Sequence, residues 1–231
     1  MTHAIRVHKA GPASVLKWQK TEIGKPQKGQ LLIRNTAVGL NFIDTYHRKG
    51  LYPIPMPFTP GVEGAGVIDA IGAGVTKLKI GDRVAYCSDP IGSYAEQRIF
   101  PAERAIKIPS GISDEQAASM MLKGLTAAML LKRIYTPAKG DKVLIHAAAG
   151  GVGLILCQWA KHLGATVIGT VGSRKKAALA KANGCDHPII YTEKNFVEQV
   201  QRLTKKDGVP VVYDGVGKDT YPGSLDCLQP R

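Results

Sequence analysis

Cysteine is scarce in this chain of 231 residues: Cys87, Cys157, Cys185 and Cys227 are the only four, with no C-x-x-C pair and no neighbouring histidine. That spacing argues against a zinc knuckle and a disulfide-stapled scaffold, and it reads as reduced, buried thiols. Aromatic residues make up 6% of the chain, and no RNP-type aromatic segment is present. No apolar run reaches the roughly eighteen residues of a membrane-spanning helix. Residues 1–6 lack the basic-then-apolar layout of a secretory signal, so the expected location is the cytoplasm. Acidic residues are also in short supply, 18 against 31 Lys and Arg, for a formal charge of +13. Such a field attracts phosphorylated or acidic ligands, nucleic acid among them. The cations are spread along the chain without an arginine-rich arm, however, and read as a solvated basic surface.

What remains is ordinary globular material. Hydrophobic residues are 44% and charged residues 21%, and the length suits one large or two ordinary domains. The 26 glycines favour tight turns over long helical bundles. Up to about residue 109 the chain shows short β-type runs at 3–7, 30–38, 61–71, 83–86, 94–100 and 104–108, broken by turn residues. The segment 51–60 carries four prolines and must be an extended loop. A helix is expected from Asp114 to Leu122, with Ser110 as its cap.

From Gly140 onward the period changes. Strands at 142–146, 166–171, 188–191 and 209–213 alternate with helices at 152–163, 175–182 and 196–203, the first with Val152, Ile155, Trp159 and Leu163 on one face. This is a doubly wound parallel sheet, and a dinucleotide-binding sheet of that type has about six strands. Four precede Arg231, so the expectation is an incomplete sheet with a long exposed strand edge. The expected domains are 1–122 and 123–231.

The chemistry begins at Ala148-Ala149-Gly150-Gly151-Val152-Gly153, placed between a strand and a helix. Glycine there lets the backbone approach a pyrophosphate, and the N–H groups and dipole of the helix favour the anion. Cofactor choice is written about 20 residues on, where an NAD enzyme places a carboxylate on the ribose 2′-hydroxyl. Here that region reads Gly172-Ser173-Arg174-Lys175-Lys176. A hydroxyl beside several cations suits a 2′-phosphate, so the expected cofactor is NADPH.

Gly140-Asp141, Leu144, Ala148 to Gly153, Gln158 and Lys161 together resemble the signature of the quinone oxidoreductase and zeta-crystallin branch of the zinc-independent medium-chain dehydrogenases. The resemblance continues through Gly39-Leu40-Asn41-Phe42-Ile43-Asp44-Thr45-Tyr46, Pro60 to Gly66, Gly81 to Val84 and Lys123 to Thr126. It implies a GroES-like β domain followed by a Rossmann-type NADPH-binding domain. It also implies a small-molecule quinone as substrate and a parent family that is commonly homodimeric. Zinc-containing relatives place a cysteine in the segment matching 39–44 and a histidine before Glu63; here Asn41 and Phe42 fill the first region and Val62 the second, so no metal is expected. By the same resemblance Asn41, Asp44 and Tyr46 are the expected catalytic residues beside the nicotinamide, with Lys123 and Thr126 near the domain junction. Ala149, Gly150, Gly151 and Val152 match the pyrophosphate turn, and Gly172, Ser173, Lys176 and Tyr191 the adenosine phosphate end. Two other readings stand beside this one: a zinc-free enone or enoyl-thioester reductase of the same branch, and a basic RNA-binding zeta-crystallin-like protein.

Overall fold

The computed structural model describes residues 1–230. The chain forms two compact units, Met1–Leu122 and Lys123 onward.

In the first unit, β1 (Thr2–Arg6) pairs antiparallel with β2 (Lys17–Thr21). The sequence reading missed β2 because its residues are nearly all exposed and carry no apolar alternation. A five-stranded antiparallel sheet follows, built from β3 (Gln30–Val38), β4 (Glu63–Ile71), β5 (Arg83–Cys87), β6 (Gln97–Pro101) and β7 (Ala105–Lys107) in the order β6-β3-β4-β5-β7. Its inward positions, Leu31, Ile33, Ile68, Val84, Tyr86 and Phe100, are sealed from solvent. Each large apolar side chain so buried contributes roughly 1.5–3 kcal/mol. Residues 51–60 form no helix or strand.

Between β3 and β4 lies α1 (Phe42–Lys49), absent from the sequence reading. Asn41 is its N-cap, and Asp44 at N3 accepts the Asn41 N–H at 2.9 Å, one half of a capping box. Gly50, at φ +79°, ends it in the left-handed conformation. The cap of α2 (Asp114–Met129) is Ser113, not Ser110: its Oγ accepts the Gln116 N–H at 3.1 Å while Gln116 Oε1 accepts the Ser113 N–H at 2.9 Å. Reciprocal bonding at that spacing outweighs a serine three residues earlier, and the helix runs seven residues past Leu122.

The second unit alternates β8 (Lys142–Ile145), α3 (Gly151–His162), β9 (Thr166–Val171), α4 (Arg174–Ala182), β10 (His187–Ile190), α5 (Phe196–Thr204), β11 (Val212–Tyr213) and α6 (Tyr221–Asp226). Its four strands are parallel, in the order β10-β9-β8-β11. Alternation along the strands feeds two cores. Val143, Ile145 and Val167 pack with Leu156, Cys157 and Ala160 on one face, and Leu144, Ile168 and Ile189 pack with Val200, Val209 and Cys227 on the other.

Two expectations shift here. The buried face of α3 is Gly153, Leu156, Cys157 and Ala160, one position beyond the Val152, Ile155, Trp159 stripe. Close approach decides it, since a Cβ at Gly153 would lie 2.3 Å from the Ala147 carbonyl oxygen. The edge strand β11 is two residues rather than five, so the exposed edge is short. All four cysteines are buried, and none is in a disulfide. Among the described residues, no helix is long and apolar enough to cross a membrane.

Candidate active site

The turn between β8 and α3 is built by backbone geometry. Ala147 takes φ +49°, the Gly150 N–H donates to the Ala147 carbonyl at 2.7 Å, and the Ala148 N–H to that of Thr170 at 3.0 Å. Gly150 is then the extended N-cap of α3. The N–H groups of Gly151, Val152 and Gly153 open a helix that offers them no carbonyl one turn earlier, so they face outward beside its positive dipole end. Lys123 belongs to this place as well, because a Cβ at Gly151 would meet its Cδ at 2.7 Å. Thr126 lies three residues along α2, on the same helix face as Lys123.

At the end of β9 the chain brings together the residues read as the adenosine phosphate end. A Cβ at Gly172 would lie 2.8 Å from the Tyr191 hydroxyl, so that phenol rests against glycine backbone. Ser173 caps α4 and accepts the Lys176 N–H at 3.3 Å. Arg174 is engaged in an ion pair with Glu193 at 3.1 Å, while Ser173, Lys175, Lys176 and the half-exposed Tyr191 are polar residues open to solvent at this corner.

In the first unit Asn41, Asp44 and Tyr46 occupy the N-cap and the third and fifth positions of α1, and the first two join a buried polar cluster. Glu63 is fully buried: its Oε1 accepts from Asn41 Nδ2 at 2.7 Å and its Oε2 from the Leu122 N–H at 2.7 Å. Asp44 Oδ2 accepts the Tyr94 hydroxyl at 2.8 Å. Burial raises the Asp44 carboxyl above its ordinary range, against the opposing bonds from Asn41 and Tyr94, and burial beside Asp44 raises the Tyr94 phenol. The Tyr46 ring stands edge-on to Tyr52 at 5.6 Å. Tyr94 also lines an apolar hollow of about 530 Å³ with Ile5, Trp18, Val38, Leu40 and Glu96.

Tyr94 and the bonding of Glu63 were beyond sequence reasoning. Their partners lie 50 and 22 residues away, with no periodic signal to join them. Zinc does not suit this donor set: no three His, Cys, Asp or Glu side chains among the described residues group as ligands, and both Glu63 oxygens already accept hydrogen bonds.

Comparison with known proteins agrees with this architecture. Residues 27–110 match the family described as alcohol dehydrogenase GroES-like domain, and residues 151–231 the family described as zinc-binding dehydrogenase. The chain is therefore a dehydrogenase of the GroES-like plus Rossmann type. A quinone oxidoreductase of Pseudomonas aeruginosa is 48% identical over all of this chain and 71% of its own length, and a 2-haloacrylate reductase of Burkholderia is 47% identical with the same coverage. The crystal structure of Escherichia coli quinone oxidoreductase complexed with NADPH superposes with a TM-score of 0.97 at 46% identity, over 99% of this chain and 71% of that one. Within its class the chain belongs to the quinone oxidoreductase family.

Proposed function

We propose that this chain reduces quinones with NADPH, without a metal. The observation that carries the reading is the corner after β9, where the Ser173 hydroxyl, Lys176 and Tyr191 gather with no free carboxylate. A carboxylate there would select the 2′-hydroxyl of NAD, whereas hydroxyl and cationic donors suit a 2′-phosphate. A relative of the same architecture solved with NADPH supports the choice.

NADPH, when bound, supplies the hydride. The chain's own contribution is to hold and orient. The N–H groups of Gly150, Gly151 and Val152, following Ala149, and the dipole of α3 would hold the pyrophosphate. Lys123 and Thr126 add a cation and a hydroxyl beside that turn. Converting a quinone to a hydroquinone takes up one proton besides the hydride, and we assign the Tyr46 hydroxyl as its donor to the reduced oxygen. Asn41 and Asp44 fix that tyrosine by capping α1, with Glu63 holding Asn41 in turn. We place the chain in the cytoplasm, a reducing compartment that suits four buried cysteines outside any disulfide.

The relative named as a 2-haloacrylate reductase favours one second reading, reduction of an activated carbon–carbon double bond with the same cofactor. Assaying NADPH oxidation against benzoquinones, enones and haloacrylates decides between them. Turnover of the alkenes with none of the quinones would replace the first reading by the second.

A further inference from the structure

Several buried polar groups of the second unit have no part in the chemistry above, and they converge on one histidine. His146 directly follows β8, precedes the glycine turn and is 4% exposed. Its Nδ1 lies 2.8 Å from Thr170 Oγ1 on β9, and its Nε2 lies 3.0 Å from Ser224 Oγ on α6. Ser224 Oγ is in turn 2.8 Å from Asp214 Oδ2, just after β11. Asp214 also accepts the N–H groups of Val216 and Gly217, both at 2.9 Å, and the Thr220 hydroxyl.

The donors in this chain can be ordered. Burial pushes the Asp214 carboxyl up, but the N–H of Gly217, the hydroxyls of Thr220 and Ser224 and the N–H of Val216 outweigh it and hold the group at about 2. Ser224 Oγ also lies 2.9 Å from the Thr220 carbonyl, but the ionised Asp214 only accepts and needs a proton between the two oxygens, so Ser224 donates to the carboxylate and takes its own hydrogen bond from Nε2–H of His146. Burial keeps the imidazole neutral, which leaves Nδ1 as acceptor for the Thr170 hydroxyl. Every donor then points the same way, from Thr170 through His146 and Ser224 to Asp214.

The chain ties together two backbone segments at the carboxyl ends of neighbouring parallel strands, the edge where open α/β sheets take their ligands. At one end the Thr170 carbonyl accepts the Ala148 N–H at 3.0 Å, and the His146 N–H donates to Tyr213 at 3.0 Å. At the other is the 214–217 loop, which presents the half-exposed Val216. Packing holds the ring as well: Phe196 stands edge-on to it at 5.0 Å. Gly223 lets α6 come close enough for Ser224 to reach, because a Cβ there would sit 2.6 Å from Phe196.

We infer that His146 is a positioning residue for the dinucleotide, holding the phosphate turn and the 214–217 loop in one fixed relation through Thr170 and Ser224. This rests on the reading of the second unit as an NADP(H) site. A proton added at Nδ1 would turn the Thr170 hydroxyl from donor to acceptor, reversing the first bond of the sequence and placing a buried charge in it. The one charge acting on the ring among the described residues is Asp214; Thr170 of β9, Ser224 of α6 and Phe196 of α5 are uncharged.

The test is calorimetric binding of acid-stable NADP⁺ to the full chain between about pH 5 and 8, with amide hydrogen exchange on the ligand-free protein. Substituting His146→Leu should weaken binding about tenfold at the upper end, the scale of a buried hydrogen bond left unmade. His146→Gln, which keeps a donor for Ser224, should recover part of that loss. Ser224→Ala should cost little more once His146→Leu is present. Wild-type affinity should fall with acidity faster than that of His146→Leu, a ratio that cancels the titration of the 2′-phosphate itself. In exchange, the amides of Ala148 and Gly217 should loosen together. Equal affinity of wild type and both His146 variants at every pH, or loosening of one segment alone, overturns the inference. A wild type that binds no NADP⁺ sinks the cofactor reading instead, and the paired exchange of the two amides still judges the coupling. Should His146→Leu fail to fold, His146→Gln and Ser224→Ala carry the same comparison.

Discussion

Replacing Ser173 by Asp separates the fold from the cofactor choice, because the two depend on that side chain in opposite ways. Ser173 is the N-cap of α4, its Oγ accepting the Lys176 N–H. Aspartate caps a helix as well as serine does, and its charge suits the positive end of the helix dipole, so stability should stay within about 0.5 kcal/mol of the parent. A 2′-phosphate bound at the same corner meets a new like charge. At about 4 Å that repulsion is roughly 4 kcal/mol per charge pair at an effective dielectric near 20, and about 1 kcal/mol in bulk water. Ser173 is exposed, which places the effect toward the lower figure, about 2 kcal/mol or some thirtyfold in Kd. NADH carries no 2′-phosphate and should bind within about threefold of its parent value, its ribose hydroxyl now having a carboxylate partner. Titration of both cofactors, with thermal unfolding as the control, reads the result. The NADPH penalty should shrink as salt is raised. Equal weakening of NADPH and NADH, with folding intact, would refute the assignment of this corner to the phosphate.

Gly39→Ala would place a Cβ 2.2 Å from the Ala118 carbonyl oxygen and 2.3 Å from Glu63 Oε1. We expect a loss of about 3 kcal/mol or more, seen as a drop in Tm of roughly 6–12 °C; an unchanged Tm would contradict the packing around Glu63. Tyr46→Phe should lower kcat for quinone by about a hundredfold with little change in the KM for NADPH, and an unchanged kcat would remove Tyr46 as the proton donor. The Asp214 carboxyl, held at about 2 against an ordinary 3.8, binds its proton more weakly folded than unfolded. Its stabilisation is therefore complete above pH 3.8 and is lost as the pH falls through about 2. Denaturation measured across that window should show a slope that Asp214→Asn lacks.

Much of the second unit was legible in the chain. Short apolar runs and terminating glycines located β8, β9 and β10 with α3, α4 and α5, because a parallel strand buried on both faces must be apolar throughout and a helix between strands must change period. The glycine turn and the Ser173 corner were legible for the same reason: both depend on what neighbouring residues allow the backbone to do. Other elements carried no such local mark. α1 is set by Asn41, Asp44 and Gly50 rather than by an apolar stripe, and β2 shows almost no buried residue. α6 is only six residues long.

Local order was thus enough to determine where strands, helices and the glycine turn fall, since each follows from steric and hydrogen-bonding limits acting over a few residues. Tertiary structure alone decided which distant polar groups meet. Tyr94 reaches Asp44 across 50 residues, Asn41 reaches Glu63 across 22, and His146 lies 78 residues from Ser224. Buried donors and acceptors must be paired by whatever the packing brings within reach, and that reach is a property of the folded chain rather than of its neighbours in sequence.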